Sequence, residues 1–147
     1  MTEAVPFRVV LVEDSPDDEK MTLRALKEAK VQDVFVARDG AEALDYLFSR
    51  NEFAGRVDAA PPMLVLLDLK LPKVSGIEVL EQIRANPATT NIPVVVLTSS
   101  DEDMDIIRTY DLRANSYVKK PVDYESFMST VKGLGLYWTT TNLRPPR

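Results

Sequence analysis

The sequence predicts an α/β fold with a five-stranded parallel sheet and helices on both of its faces. Five short apolar runs alternate with helical patterns along the chain, and strands that alternate with helices pair in parallel. The first, third and fourth runs are continuously apolar, which is typical of strands covered on both faces. In chain order, the runs are FRVVLV (7–12), VFVA (34–37), MLVLLD (63–68), VVVLT (94–98) and NSYVK (115–119).

Capping residues and apolar spacing predict where the helices lie. Ser15 is a favourable N-cap, and Pro16 after it suits the first helical position. Ser75 and Glu78 have the spacing of a capping box, so another helix should start there. Further helices are predicted at about 41–50, 101–111 and 123–136, and a long surface loop is predicted at 49–62.

The composition excludes several classes of protein. A length of 147 residues suits one domain, and 45% hydrophobic residues indicate a globular chain. Because the chain has no cysteine and no histidine, disulfides, thiol catalysis, an imidazole base and His-ligated zinc are excluded. The net charge of -5 argues against nucleic-acid binding. No run of membrane-spanning length and no signal-like N-terminus is present, so we expect a cytoplasmic protein without a membrane partner.

Polar side chains follow the apolar runs at what would be one edge of the sheet. Glu13 and Asp14 follow the first strand, Asp68 ends the third, Thr98 ends the fourth and Lys120 follows the fifth. Sites in open α/β sheets form beyond the carboxyl ends of the strands. Two like charges at ~4 Å repel by about 4 kcal/mol at an effective dielectric near ~20. A folded domain that keeps such an acidic pair needs something to compensate for the repulsion.

The residue types at this edge suit a magnesium ion and a phosphoryl group. Clustered carboxylates without His or Cys form the hard oxygen site that Mg²⁺ prefers. A hydroxyl and an ammonium group offer hydrogen bonds and positive charge to phosphoryl oxygens. Each residue alone has an ordinary explanation: a solvated carboxylate, a loop-capping Thr98 or a surface Lys120. The site prediction therefore rests on their common position at the same end of their strands.

Four segments carry a resemblance to a known family. VEDSP, LLDLKLPKVSG, VVVLTSS and YVKKP resemble the receiver domain of two-component response regulators, over about residues 6–136. The resemblance implies a flavodoxin-like doubly wound sheet of strand order 2-1-3-4-5 with five helices. Residues 137–147 would then be a C-terminal extension, with no output domain.

The resemblance also implies roles for individual residues. Asp68 would be the phosphoacceptor, and the donor histidine must belong to a sensor histidine kinase because this chain contains none. Small Ser99 would leave the phosphoryl group room to enter, and Pro121 would follow a cis peptide bond. Mg²⁺ would be held by Glu13, Asp14, Asp68 and the backbone carbonyl of Lys70; Thr98 and Lys120 would bind the phosphoryl oxygens; and Thr98 and Tyr117 would be the switch residues.

Three positions depart from the family pattern or vary within the family. Lys70 and Ser100, each two residues beyond a key residue, occupy variable positions that tune hydrolysis of the phosphoryl group. Arg113 stands where related domains often place a glycine after the fourth helix. These positions therefore leave two points undetermined: how long the phosphoryl group lasts and how the fourth helix ends.

A narrower resemblance concerns the partners. The loop at 49–62 and the run LGLYWTTTNLRPP are similar to single-domain regulators paired with bacterial phytochromes, which implies a phytochrome-type kinase and signalling through protein contacts. The fifth helix also has more apolar residues than one buried stripe needs, so we predict a homodimer through the C-terminal half. The alternative is that this helix simply faces the sheet. The apolar residues are Tyr124, Phe127, Met128, Val131 and Leu134, followed by Leu136, Tyr137 and Trp138.

Two other functions compete with the phosphorylated receiver. A magnesium-dependent phosphatase also uses an aspartate nucleophile, but such enzymes usually carry a second aspartate two residues later, where this chain has Lys70. A degenerate receiver that acts only as an interaction module is disfavoured by the intact set of acidic residues, Thr98 and Lys120. We therefore expect a self-phosphorylating phosphoprotein with possible autodephosphorylation, and not a turnover enzyme.

Overall fold

The computed structural model describes residues 9–56, 61–99 and 102–143. It contains a parallel sheet of five strands in the order 2-1-3-4-5, with five α-helices. The predicted fold class and strand order are confirmed. The strands are β1 (Val9–Val12), β2 (Val34–Ala37), β3 (Leu64–Leu67), β4 (Val94–Thr98) and β5 (Ser116–Lys119); the helices are α1 (Pro16–Glu28), α2 (Gly40–Leu47), α3 (Gly76–Ala85), α4 (Asp103–Asp111) and α5 (Tyr124–Leu136).

The strands differ in burial according to their place in the sheet. Every residue of β1, β3 and β4 is buried, whereas β2 and β5 at the two edges are partly exposed. This agrees with the continuous apolar character of the first, third and fourth runs. The part of the first run at 7–8 lies outside the described residues.

Alternate residues of the central strands build one core on each face of the sheet. On one face, α2 and α3 pack Leu44, Leu80 and Ile83 against Val12 and Leu67. The other face is covered by α1 and α5, and its buried residues include Leu11, Leu26, Phe127, Val131 and Trp138. Helices therefore cover both faces, as predicted.

The helix starts follow the capping signals. Ser15 Oγ accepts a hydrogen bond from the Asp18 N–H at 3.3 Å, and Ser75 Oγ accepts one from the Glu78 N–H at 3.2 Å. Because these bonds satisfy free N–H groups of the first turn, α1 and α3 begin where the sequence predicts.

The second helix is shorter than predicted: it ends at Leu47, and Ser49 has a left-handed φ of 54°.

The long surface loop predicted at 49–62 contains a regular element in its first half, which the sequence analysis missed. Residues Asn51–Arg56 form a 3₁₀ helix. Phe53 packs edge-on against the rings of Phe35 and Tyr46, each at a centroid distance of 5.3 Å. This aromatic contact, with Phe53 partly buried, orders the segment, an effect that turn-forming composition alone does not reveal. Residues 57–60 lie outside the described part of the chain.

The fifth helix continues into a π-helix at Tyr137–Thr141. Trp138 is only 9% exposed and belongs to the core, whereas Tyr137 is 48% exposed. Gly135 allows α5 to approach α1 closely, because a Cβ there would lie 2.8 Å from Leu26 Cδ2. The predicted boundary between 136 and 137 stays a prediction, and 144–147 lie outside the described residues.

Across the described ranges, no helix combines the length and apolarity needed to cross a bilayer.

Candidate functional site

The strand register brings the predicted polar residues to one edge of the sheet. Val12 and Leu67 are paired across β1 and β3, so Glu13 and Asp68, the next residue of each strand, stand side by side. Thr98 ends β4 opposite Lys119. The Lys120 N–H donates to the Thr98 carbonyl at 2.8 Å, which ties the end of β5 to β4.

The Asp68 carboxylate lies at the centre of the site and is 6% exposed. Its Oδ1 accepts hydrogen bonds from the Thr98 hydroxyl at 2.9 Å and from the Lys70 backbone N–H at 3.0 Å. Its Oδ2 accepts a bond from Lys120 Nζ at 2.8 Å. Three donors from three segments thus fix the orientation of this carboxylate.

A glycine allows the start of α3 to lie against the end of β3. A Cβ on Gly76 would lie 2.2 Å from the Asp68 carbonyl oxygen and 2.5 Å from Leu69 Cα. The Gly76 N–H donates to the Leu69 carbonyl at 3.0 Å. Because any larger residue would displace the backbone here, Gly76 helps to place Asp68.

Glu13, Asp14 and Asp68 form an acidic trio. Each offers a carboxylate oxygen, and these oxygens lie within 4.8 Å of one another. Glu13 and Asp68 are buried, while Asp14 is exposed and faces the site from its open side. Clustered oxygen ligands with one open side fit a hard divalent cation that keeps some of its waters, so the residues present fit the predicted metal.

Lys120 compensates for part of the negative charge. Its ammonium group donates to Glu13 Oε1 at 2.7 Å, to Asp18 Oδ2 at 2.8 Å and to Asp68 Oδ2, and its side chain is 8% exposed. Burial raises the pKa of Glu13 to about 7, because the loss of water outweighs its bond to Lys120. Burial alone would lower the pKa of Lys120, but the three carboxylates outweigh it and raise that pKa.

Asp18 is a contact of Lys120 that the sequence analysis did not assign to the site. It stands in a run of three acidic residues at 17–19, and acidic residues in a first helical turn are explained by the helix dipole alone. Nothing in the sequence distinguishes Asp18 from its neighbours. Only the position of Lys120 in space does so.

The structure also places the other residues that the sequence analysis singled out. Tyr117 is partly buried against the core, and Ser99 is exposed at the end of β4. The Lys70 side chain is exposed and lies 3.7 Å from Glu102. Arg113 adopts a left-handed φ of 61°, so it takes the conformation that a glycine would favour at this position. Ser100 lies outside the described residues.

The predicted cis peptide bond before Pro121 is wrong. The described residues contain no cis peptide bond, so the bond between Lys120 and Pro121 is trans. The two isomers of a bond to proline differ by only about 0.5–1 kcal/mol. The local sequence therefore does not determine which isomer is present.

The same ordered set of residues is characteristic of one protein family. The family model described as response regulator receiver domain matches residues 9–132. The chain belongs to this family. The receiver fold and receiver function predicted from the motifs are therefore confirmed, in preference to the magnesium-dependent phosphatase.

Individual receiver proteins are similar over nearly the whole chain. The response regulator Rcp1 of Synechocystis sp. is 36% identical over 95% of this chain and 94% of its own length. The structure of its Mn²⁺-bound form has a TM-score of 0.87, with 96% of this chain and 100% of that chain covered.

Two further solved structures are similar to this receiver. The phosphorylated cyanobacterial phytochrome response regulator RcpA has a TM-score of 0.88 and 38% identity, with 97% and 100% of the two chains covered. The bacteriophytochrome response regulator RtBRR is 45% identical with a TM-score of 0.75, over 97% of this chain and 86% of its own. The receiver thus has homologues among phytochrome response regulators.

Proposed function

We propose that Asp68 of this receiver accepts a phosphoryl group from the histidine of a sensor kinase, and that phosphorylation controls protein contacts. The observation that carries the proposal is the environment of Asp68. Its carboxylate is oriented by Thr98, Lys120 and a backbone N–H, and it lies within the acidic trio. This arrangement combines a nucleophile with donors for an anionic group.

The chain's own residues account for the transfer chemistry. A carboxylate oxygen of Asp68 attacks phosphorus, and the phosphorus–nitrogen bond of the phosphohistidine breaks with its electron pair left on the imidazole nitrogen. The Thr98 hydroxyl and the Lys120 ammonium group would donate to the phosphoryl oxygens, where negative charge accumulates. Catalysis is then mainly positioning and charge stabilisation.

We propose Mg²⁺ as the cation of the site. Glu13, Asp14, Asp68 and the backbone carbonyl of Lys70 would hold it. It would supply positive charge to the phosphoryl oxygens and offset the repulsion within the acidic trio. The existence of a Mn²⁺-bound form of the homologue Rcp1 supports the binding of a divalent cation.

Intact mass spectrometry tests the function and the metal together. Incubation with acetyl phosphate and Mg²⁺ should add the mass of one phosphoryl group, and peptide mapping should locate it on Asp68. EDTA in excess should abolish the adduct, because Lys120 offsets only part of the charge of the acidic trio, and without Mg²⁺ the remaining charge repels the anionic donor. An adduct that forms equally well in EDTA contradicts the metal proposal.

We propose a phytochrome-type histidine kinase as the phosphodonor, on the basis of the similarity to RcpA and RtBRR. The protein would act in the cytoplasm and without nucleic acid, in keeping with its net charge of -5. Phosphotransfer assays with purified phytochrome-type and unrelated kinases test the pairing. Equal transfer rates from both groups would contradict it.

Thr98 and Tyr117 are proposed as the switch. Thr98 already donates to Asp68, and a phosphoryl group on Asp68 should draw this hydroxyl toward the phosphoryl oxygens and let Tyr117 turn inward, as a shift between two packed states. Beryllofluoride, a phosphoryl mimic, should therefore change amide NMR signals along α4, β5 and α5. Changes confined to residues that touch the mimic would contradict the switch.

The homodimer remains a proposal, with a smaller candidate surface than the sequence suggested. Phe127 and Val131 are buried, and Met128 and Leu134 pack against the core. Tyr124, Leu136 and Tyr137 are the exposed members, at 49%, 41% and 48%. Exposed aromatic and aliphatic side chains such as Leu136 and Tyr137, which are neighbours at the end of α5, favour a partner surface.

Sedimentation equilibrium with surface variants tests the dimer. The wild type should dimerise at micromolar concentrations, and Leu136→Lys combined with Tyr137→Lys should make it monomeric. Leu143→Lys is a matched control, because Leu143 is 91% exposed near the same end of the chain. A wild type that stays monomeric even with beryllofluoride removes the proposal.

A further inference from the structure

The ammonium group of Lys120 has three N–H donors and three carboxylate partners. Two partners, Glu13 and Asp68, belong to the acidic trio, and Asp18 does not. All three contacts are short, at 2.7–2.8 Å, as expected for charge-assisted hydrogen bonds. The hydrogen bond from Lys120 to Asp18 is therefore about as short as its bonds to Glu13 and Asp68.

The three partners differ in what else they must bind. In the proposed function, oxygens of Glu13 and Asp68 bind a cation, and Asp68 also forms the bond to phosphorus. A carboxylate oxygen that is committed to a cation or to phosphorus is a weaker hydrogen-bond acceptor for an ammonium group. Asp18 is the partner of Lys120 whose oxygens stay available throughout.

The first turn of α1 holds Asp18 in a fixed position. Its N–H donates to the Ser15 side chain, and Pro16 occupies the first helical position, so the first turn is held rigidly. Its side chain is 28% exposed. The neighbouring acidic residues point elsewhere: Asp17 is exposed, and Glu19 bonds to Arg38 at 3.0 Å.

We propose that Asp18 is a positioning residue, which holds the Lys120 ammonium group over the phosphoacceptor while Glu13 and Asp68 are engaged by the cation and the phosphoryl group. The proposal rests on the proposed phosphoacceptor function. Asp18 itself touches neither phosphorus nor the cation. Its effect on phosphorylation passes through Lys120.

Three variants separate this role from a simple effect of charge. Asp18→Ala removes the acceptor and the charge, Asp18→Asn removes the charge but keeps an oxygen acceptor, and Asp17→Ala removes one charge from the same helical turn. We expect Asp18→Ala to lower the maximal rate of phosphorylation by acetyl phosphate about tenfold, on the scale of one lost charge-assisted hydrogen bond. The donor concentration at half-maximal rate should stay unchanged.

The control variants give the decisive comparison. Asp18→Asn should recover most of the wild-type rate, and Asp17→Ala should match the wild type. Equal rates for Asp18→Ala and Asp18→Asn would show an effect of charge alone and overturn the proposal. An Asp18→Ala rate equal to that of the wild type would overturn it as well.

A second measurement does not depend on phosphorylation. In ¹H–¹⁵N NMR spectra of the Mg²⁺-saturated protein, in which Glu13 and Asp68 would be engaged by the cation, a held ammonium group exchanges its protons slowly, so the Lys120 Nζ signal should be visible in the wild type and in Asp18→Asn. It should broaden or vanish in Asp18→Ala while the backbone spectrum stays folded. An unchanged signal overturns the proposal, whereas failure of the wild type to phosphorylate would count against the proposed function alone.

Discussion

Asp68→Asn protein should gain no phosphoryl group under conditions that phosphorylate the wild type fully. The side chain keeps its shape and its carbonyl oxygen can still accept from Thr98, but an amide is a poor nucleophile toward phosphorus. The proposed donors and metal ligands would remain in place around it. Loss of the adduct would therefore report the loss of the nucleophile and not of the site.

The measurement is intact mass after incubation with acetyl phosphate or with a phosphorylated kinase. Asp111→Asn is a suitable control, because Asp111 is an exposed aspartate at the end of α4, far along the chain from the acidic trio. That variant should be phosphorylated like the wild type. A stoichiometric adduct on Asp68→Asn would show that another residue is the acceptor.

Arg84→Met should lower the free energy of unfolding by about 3 kcal/mol, because one partly buried charged donor loses all its hydrogen bonds at once. Hydrogen bonds from a charged donor contribute roughly 1.5–3 kcal/mol each and are not additive. Methionine keeps much of the volume but donates nothing. Arg84 donates to the carbonyls of Leu112, Thr90, Ile92 and Arg113 and to the side-chain oxygen of Asn115.

These bonds join the end of α3 to the segments before β4 and β5. Burial lowers the pKa of Arg84 to about 10, and the charge of Arg113 adds to this shift. A guanidinium group with this pKa is still protonated near pH 7, so its bonds stay intact there. Without them, several backbone carbonyls of both connections would lose their donors at once.

Urea unfolding followed by circular dichroism measures the loss. Arg108→Met is the matched control, because among the described residues the Arg108 side chain bonds to Glu81 alone, at 3.1 Å, in an exposed ion pair between α4 and α3. An exposed ion pair contributes less than about 1 kcal/mol, so this variant should unfold close to the wild type. Equal losses in the two variants would contradict the role assigned to Arg84.

Much of the candidate site follows from the order of residues along the chain. In a parallel sheet, all strands have their carboxyl ends at one edge, so residues that follow different strands must meet there. Glu13, Asp68, Thr98 and Lys120 follow their strands in this way, and the structure brings them into contact. Local signals also determined the helix starts at Pro16 and Gly76, since a cap needs only neighbouring residues.

Contacts between distant segments could not be predicted from the sequence. Asp18 and Lys120 are 102 positions apart, and only the packing of the β5–α5 connection against α1 selects Asp18 from a run of similar acidic residues. Phe53 orders a segment that looks like a loop, because its aromatic partners lie on β2 and α2.

The sequence by itself therefore determined the fold class, the strand order implied by its motifs, and the set of residues at the reactive edge, because these depend on local patterns and on the geometry of parallel strands. The tertiary structure alone decided which acidic side chain also holds Lys120, that the Pro121 bond is trans, and which carbonyls Arg84 joins. Those features depend on the relative positions of elements that are far apart in the chain, and the free-energy differences that select them arise only once the core has formed.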